Sequence, residues 1–124
     1  MANEISLATN LQVTKGSLRY VFNPPTAAIN LTGNAAAGAV QNISTTTEAL
    51  SVVDITTPGM AAFINLTVGT RVEVGQMSGT NFVAVLRLDP GEPAVGRMAT
   101  TALYAKVTVP TNGTANVQWQ MFSE

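Results

Sequence analysis

The sequence predicts an all-β fold, a single antiparallel β-sandwich of jelly-roll or immunoglobulin-like Greek-key type. Apolar and polar residues alternate with a period of two through most of the chain, and helical spacing is almost absent. Turn-forming residues separate the alternating segments at intervals of about ten residues. Parallel strands would need a helical crossover, and the pattern offers none. We therefore expect about eight to ten short antiparallel strands in one domain spanning 1–124.

The first half of the chain carries short alternating segments. Lys15-Gly16 ends the opening segment, and Asn23-Pro24-Pro25 stops the second one because proline has no N–H to donate to a ladder. Residues 33–38 are small and are predicted to form a loop, and 47–50 allow a short helical turn. The opening segment places Ile5, Leu7, Leu11 and Val13 on one face, and the strands predicted after it are 18–22, 28–32, 40–45 and 50–55.

The second half alternates more clearly. A Pro-Gly pair predicts a turn at 57–59, and Gly or Pro predicts further reversals at 69–70, 78–81, 89–92 and 110–114. In the last segment Val117, Trp119 and Met121 lie on one face, which predicts a half-buried strand. The strands predicted here are 60–68, 71–76, 82–88, 94–99, 103–109 and 115–121.

Composition excludes several classes of function. The chain has no Cys and no His, which excludes a thiolate zinc site, a cysteine nucleophile and the usual general base. A net charge of −1 without basic clusters argues against nucleic-acid binding. The chain shows no signal-peptide pattern, and its apolar runs are far shorter than the ~20 residues that span a bilayer. We expect no metal, no cofactor and no membrane partner, and synthesis in the cytoplasm.

An enzymatic function would have to rest on carboxylates or a hydroxyl. A glycosidase needs two carboxylates facing each other across a cleft, and we expect these carboxylates to be solvated surface charges instead. A hydroxyl nucleophile without His needs a lysine partner, and neither Lys15 nor Lys106 has a serine at a recognised spacing. We therefore predict no enzymatic activity and assign no catalytic residue. The carboxylates considered are Glu4, Glu48, Asp54, Glu73, Asp89, Glu92 and Glu124.

Carbohydrate binding is the alternative that the aromatic residues leave open. Small β-sandwiches bind sugars through an exposed aromatic ring, and Trp119, Tyr20 and Tyr104 are the candidates. Trp119 falls on the apolar face of its strand, which favours core packing. Tyr104 lies on the side of its strand away from the apolar residues, and it is expected to point outward, to lie at an interface or to belong to a second packed face.

The low charge has a physical meaning of its own. Charged residues make up 10% of the chain, whereas a soluble domain averages roughly 25%. A monomer gains solubility from charge, but a subunit packed against other subunits replaces it with uncharged residues, because desolvating charge is costly. The composition therefore favours a protein that assembles, and we expect a homo-oligomer.

Short segments along the chain give it a resemblance to a known class of proteins. They are Met1-Ala2-Asn3-Glu4-Ile5, Glu48-Ala49-Leu50, residues 54–66, Val72-Glu73-Val74-Gly75, Phe82, residues 86–92, Arg97-Met98-Ala99-Thr100 and Tyr104-Ala105-Lys106. In their order the chain resembles small virion structural proteins of tailed bacteriophages. The resemblance covers most of the chain and includes no invariant chemical motif.

The resemblance implies a component of the virus particle. It implies capsid decoration, or a position at a vertex or tail, with the major capsid protein as the main partner and the virion as the location. A carbohydrate-binding or host-recognition protein of the tail or head fibre remains the alternative. An exposed strand edge can add to a neighbouring sheet, and we expect contacts at residues 1–4, 33–39 and 75–81.

Overall fold

The computed structural model describes residues 5–124 and confirms the all-β class. Within those residues it contains twelve strands, no helix, and antiparallel pairing in every ladder. The strands are β1 Ile5–Leu7, β2 Leu11–Lys15, β3 Leu18–Phe22, β4 Ala27–Ile29, β5 Ala36–Ile43, β6 Glu48–Ala49, β7 Pro58–Asn65, β8 Arg71–Ser78, β9 Asn81–Leu88, β10 Pro93–Arg97, β11 Tyr104–Val109 and β12 Ala115–Ser123.

The chain divides into two compact units, Met1–Thr32 and Gly33–Glu124. One domain over 1–124 therefore stays a prediction. In the first unit β2 pairs with β3, and β1 pairs with β4. Gly16, with a φ of 59°, makes the tight turn between β2 and β3. The described part of this unit is a β-hairpin whose ladder is interrupted between its two segments.

The second unit contains two four-stranded sheets. The first sheet has the order β10-β7-β12-β5 and the second has the order β6-β11-β8-β9. One cluster of buried side chains draws on both sheets, with Phe63 and Trp119 from the first and Val72, Leu88 and Val107 from the second. The alternation of β12 sets its inner face, since Val117, Trp119 and Met121 are all buried as predicted.

Two predictions around β5 and β6 are wrong. Residues 33–38 were expected to be a loop, but 36–38 are the first residues of β5 because they pair with β12. Their small side chains allow the two strands to approach closely. A Cβ on Gly38 would lie 3.1 Å from the carbonyl oxygen of Trp119. Residues 50–55 were expected to be a strand. They bend instead, since the Val52 N–H donates to the Leu50 carbonyl at 2.8 Å and Asp54 has a φ of 64°.

Three further expectations differ from the structure. The opening segment is two strands, because the chain leaves extended pairing at 8–10, and the described residues form twelve strands where about eight to ten were expected. The helical turn that the sequence allows at 47–50 does not form, and 48–49 pair with β11 instead. The turn at 57–59 is also wrong: Pro58 is the first residue of β7, where a missing N–H costs no ladder bond.

The turn at 89–92 is confirmed. The Glu92 N–H donates to the Asp89 carbonyl at 3.1 Å, and Gly91 has a φ of 78°. Proline followed by glycine at the two central positions suits a type II turn, since only the second of them requires a positive φ.

Candidate functional site

Asp89 is the most heavily paired carboxylate in the described chain. The Arg71 Nε donates to one carboxylate oxygen at 2.9 Å, and the Arg87 Nη2 donates to the other at 3.3 Å. The hydrogen bond from Arg71 is the main cause that lowers the pKa of Asp89, and the same bond raises the pKa of Arg71. A general acid that works near neutral pH needs a raised pKa, so this shift is the opposite of what acid catalysis requires. The two arginine contacts are suited to holding the 89–92 turn against β8 and β9.

The other described carboxylates are spread over separate contacts. Glu48 accepts hydrogen bonds from the backbone N–H and the hydroxyl of Ser44, and Glu124 pairs with Arg97. Glu73 lies in register between Lys106 and Arg87 on neighbouring strands. Among residues 5–124, no cluster of three acidic side chains has the geometry to hold a metal ion. In the same part of the chain no helix is long and apolar enough to cross a membrane.

The aromatic candidates differ sharply in exposure. Trp119 is 2% exposed, which confirms its predicted place in the core. Tyr104 is half-buried, and Tyr20 on β3 is 56% exposed. Tyr20 is therefore the candidate best placed to meet a partner or a sugar.

One apolar cavity of about 260 Å³ lies in the second unit. Phe63, Val74, Leu86, Met98 and Leu103 contribute to its lining. Its volume falls just below the range of about 300–1,000 Å³ that small-molecule sites usually occupy. Its polar lining residues are Gln76, Thr100 and Arg97, and Arg97 already pairs with Glu124.

The β2–β3 hairpin exposes an apolar surface, which we call the hairpin face. The register places Leu11 opposite Phe22 and Val13 opposite Tyr20, and Leu18 continues the same side of the hairpin. Apart from Val13, these side chains are between 47% and 56% exposed. The hairpin face therefore consists of Leu11, Val13, Leu18, Tyr20 and Phe22, and Lys15, which lies opposite Leu18, places one exposed charge at its turn end.

The first sheet of the second unit has an uncharged outer surface, which we call the neutral face. Its residues stand in two rows that cross β10, β7, β12 and β5 in that order, as the strand registers require. The first row is Pro93, Ile64, Gln118 and Val40, and the second is Val95, Ala62, Gln120 and Gly38.

The charges of the second unit gather on the other sheet and its turns. Lys106, Glu73 and Arg87 form one cross-strand row there, and Arg71 and Asp89 stand beside it. On the first sheet Arg97 is the one charged strand residue, and it lies beyond the two neutral rows. Charge is depleted at the cores of protein interfaces. The unequal distribution therefore marks the neutral face as the side better suited to contact another protein.

The structure describes two of the three predicted contact regions, and their role in contacts stays a prediction. Residues 1–4 lie outside the described residues. Most of 33–39 belongs to β5, which is an edge strand rather than a loop. Region 75–81 contains the end of β8, a two-residue turn and the start of β9. Residues 35–39 are alanine and glycine only and lack the alternation of apolar and polar residues, so the edge strand could not be recognised from the sequence.

Comparisons of this chain with protein-family models, with curated proteins and with solved structures find no match. Its function must therefore be argued from its own surfaces.

Proposed function

We propose that this chain is a non-enzymatic virion structural protein of a tailed phage, a decoration or cement protein that binds the major capsid protein and stabilises or decorates the particle. The proposal starts from the resemblance of the sequence and is supported by the exposed hairpin face. It includes the expectation that the chain has no enzymatic activity. Its partner is another protein, and its place is the particle surface.

A jelly-roll sandwich over residues 33–124 is the fold we propose with this function. The strands pair in a nested order, β5 with β12, β6 with β11, β7 with β10 and β8 with β9. This is the order of a jelly roll, in which one long hairpin is folded over on itself. Two of the pairs, β5 with β12 and β7 with β10, lie in the first sheet, and the other two lie in the second. Jelly rolls occur in viral capsid proteins and in lectins, so the fold is compatible with both the leading function and its alternative.

The hairpin face is the observation that carries the proposal. A two-stranded hairpin is marginally stable in water at best and needs a covering surface. Covering Leu11, Leu18, Tyr20 and Phe22, with roughly 100 Å² exposed on each, would contribute roughly 10 kcal/mol at about 25 cal/mol per Å². Association entropy offsets about 4–15 kcal/mol of such a gain. A shell surface that buries this face together with neighbouring contacts would hold the protein on the particle.

The test measures binding to purified particles stripped of this chain. Tyr20→Glu places a carboxylate among the apolar side chains of the hairpin face, and we expect the dissociation constant to rise at least about tenfold. Val21→Glu is the matched control, because Val21 is the next residue of β3, is 61% exposed and points to the opposite side. Equal effects of the two changes would contradict the role of the hairpin face. Absence of the wild-type chain from clean particles would contradict the virion function itself.

Carbohydrate or host recognition remains the alternative because one aromatic ring is exposed. Tyr20 could stack on a sugar ring, whereas the buried Trp119 lacks the exposure to do so. A glycan array with saturable binding, lost in a folded Tyr20→Ala variant and kept in Val21→Ala, would favour this alternative. No saturable binding to any glycan, together with binding to stripped particles, would favour the capsid role.

A further inference from the structure

The free edge of β5 is the least protected strand edge in the second unit. Within residues 33–124, the outermost strands of the two sheets are β5, β10, β6 and β9. Natural proteins protect such edges with short strands, proline or charge. β6 has two residues, β10 begins at Pro93 and ends at Arg97, and β9 carries Arg87. β5 has eight residues, with no proline and no charge.

The backbone groups that point away from this edge can be identified from the ladder. The Ser123 N–H donates to the Ala35 carbonyl at 2.9 Å, which fixes the phase of the β5–β12 pairing. Hydrogen bonding alternates along an antiparallel strand. The N–H and C=O groups of Ala36, Gly38, Val40 and Asn42 therefore point to the free edge. Among the described residues β5 pairs with β12 alone.

We propose that a second copy of this chain pairs its β5 with this edge, antiparallel and about a two-fold axis. The two first sheets then join into one continuous eight-stranded sheet, with the backbone hydrogen bonds that characterise strand addition. Because the same patch serves both copies, the contact closes at a dimer and uses up the edge. The inference concerns the isolated protein, so its failure would leave the proposed virion function standing.

The side chains of β5 fit a copy of themselves. The outward-pointing backbone groups of the two strands must face each other, which is satisfied by a register centred on Ala39. In that register Gly38 lies beside Val40 of the second copy, and Ala36 lies beside Asn42 of the second copy. Each larger side chain thus meets a small one on the outer surface. The neutral face of each copy continues into that of the other, so no charge is buried or brought close to a like charge.

The small size of the contact is typical of a weak association. Two paired eight-residue edges bury well under the about 1,600 Å² of a standard stable interface. We therefore expect a dissociation constant in the micromolar to millimolar range, so that the dimer forms in concentrated solution. Sedimentation equilibrium of the full chain should show the mass rising from 12.9 kDa toward twice that value over about 10 μM to 1 mM.

A matched pair of lysine variants tests the location. Val40→Lys places a charge on each of the two joined strands, and we expect the dissociation constant to rise at least about tenfold. Val95→Lys is the control, because Val95 lies on the same face of the same sheet with 52% exposure against 58% for Val40. We expect it to change the dissociation constant by less than about twofold. A larger effect at Val95 would overturn the assignment to β5.

Residue-level amide exchange distinguishes edge pairing from contact between sheet faces. In the dimer we expect the Gly38 and Val40 amides to become protected, whereas the Ala37 and Ala39 amides are protected in both states by β12. Stacking of faces would not produce this alternation. A wild-type chain that stays monomeric up to 1 mM, or a dimer whose Gly38 and Val40 amides exchange as fast as in Val40→Lys, would overturn the proposal.

Discussion

Replacing Asn65 with aspartate would convert a fully satisfied buried amide into a misplaced charge. Asn65 ends β7 and is 0% exposed. Its Nδ2 donates to the carbonyl oxygens of Leu88 at 3.2 Å and Thr70 at 3.3 Å, and its Oδ1 accepts the Thr67 N–H at 3.0 Å. The Asn65 carbonyl also accepts the Gly91 N–H at 2.8 Å. One side chain therefore connects the 66–70 turn to the end of β9.

In Asn65→Asp the donating nitrogen becomes a carboxylate oxygen. That oxygen would face the Leu88 and Thr70 carbonyl oxygens at the distances where hydrogen bonds now lie. An uncompensated buried charge of this kind costs about 3–5 kcal/mol, a large part of the about 5–15 kcal/mol that holds a typical domain together. We expect the free energy of unfolding at pH 7 to fall by about that amount.

The sign of the pH dependence follows from the same geometry. Burial and the facing carbonyls disfavour ionisation, so the pKa of the introduced carboxyl would be raised in the folded state. A protonated carboxyl can donate one hydrogen bond to Leu88 or Thr70. The deficit is therefore present at neutral pH and shrinks as the pH falls through that raised pKa.

Urea denaturation at pH 7 and at about pH 4 measures both quantities. Asn116→Asp is the matched control, because Asn116 is exposed and its Oδ1 accepts the Asn42 Nδ2 at 2.9 Å, a role that a carboxylate can keep. We expect the control to differ from wild type by less than about 0.5 kcal/mol at pH 7. An Asn65→Asp deficit below 1 kcal/mol at pH 7, or one equal at both pH values, would refute the reasoning.

Two further predictions concern the core and the surface ion pairs. Trp119→Ala should reduce the free energy of unfolding by about 3–5 kcal/mol in urea denaturation, because it empties the centre of the core. Trp119→Phe should stay within about 1 kcal/mol of wild type. The buried Nε1–H has no partner among the described residues, so the free energy gained by removing it offsets the cost of the lost side-chain volume. A loss of stability as large as that of the alanine variant would contradict this. Asp89→Asn should lower the thermal midpoint at pH 7, and the difference from wild type should vanish as acid protonates Asp89 through its lowered pKa, because the Arg71 hydrogen bond favours the charged form. A difference that stays constant down to acid pH would show that the ion pair is not its cause.

The sequence predicts secondary structure best where side chains alternate strongly. In β12, Val117, Trp119 and Met121 alternate with polar residues, and a strand can bury one face only by placing every second residue inward. The turn at 89–92 was predictable because proline fixes a negative φ at Pro90, whereas glycine adopts the positive φ that Gly91 has without steric cost. These are local constraints, which the chain carries before it makes any long-range contact.

Prediction failed where side chains are small or where a local bend decides the backbone. Ala36, Ala37 and Gly38 carry no periodic signal, and they become strand only because β12 lies beside them and supplies hydrogen-bond partners. Leu50 and Ile55 have strand-like side chains and are buried, but the positive φ of Asp54 and the bend at Val52 take them out of extended structure.

The candidate surfaces show the same division. Composition alone established that the chain is poor in charge and lacks histidine and cysteine. Only the tertiary structure decided that the few charges gather on the second sheet, that the neutral face and the β5 edge are left without them, and that the apolar residues of β2 and β3 are exposed. Alternation fixes which residues share a face, because the side-chain period of a strand is local. Which faces and edges meet is set by strand pairing between residues far apart in sequence, and that pairing decides where this protein can bind a partner.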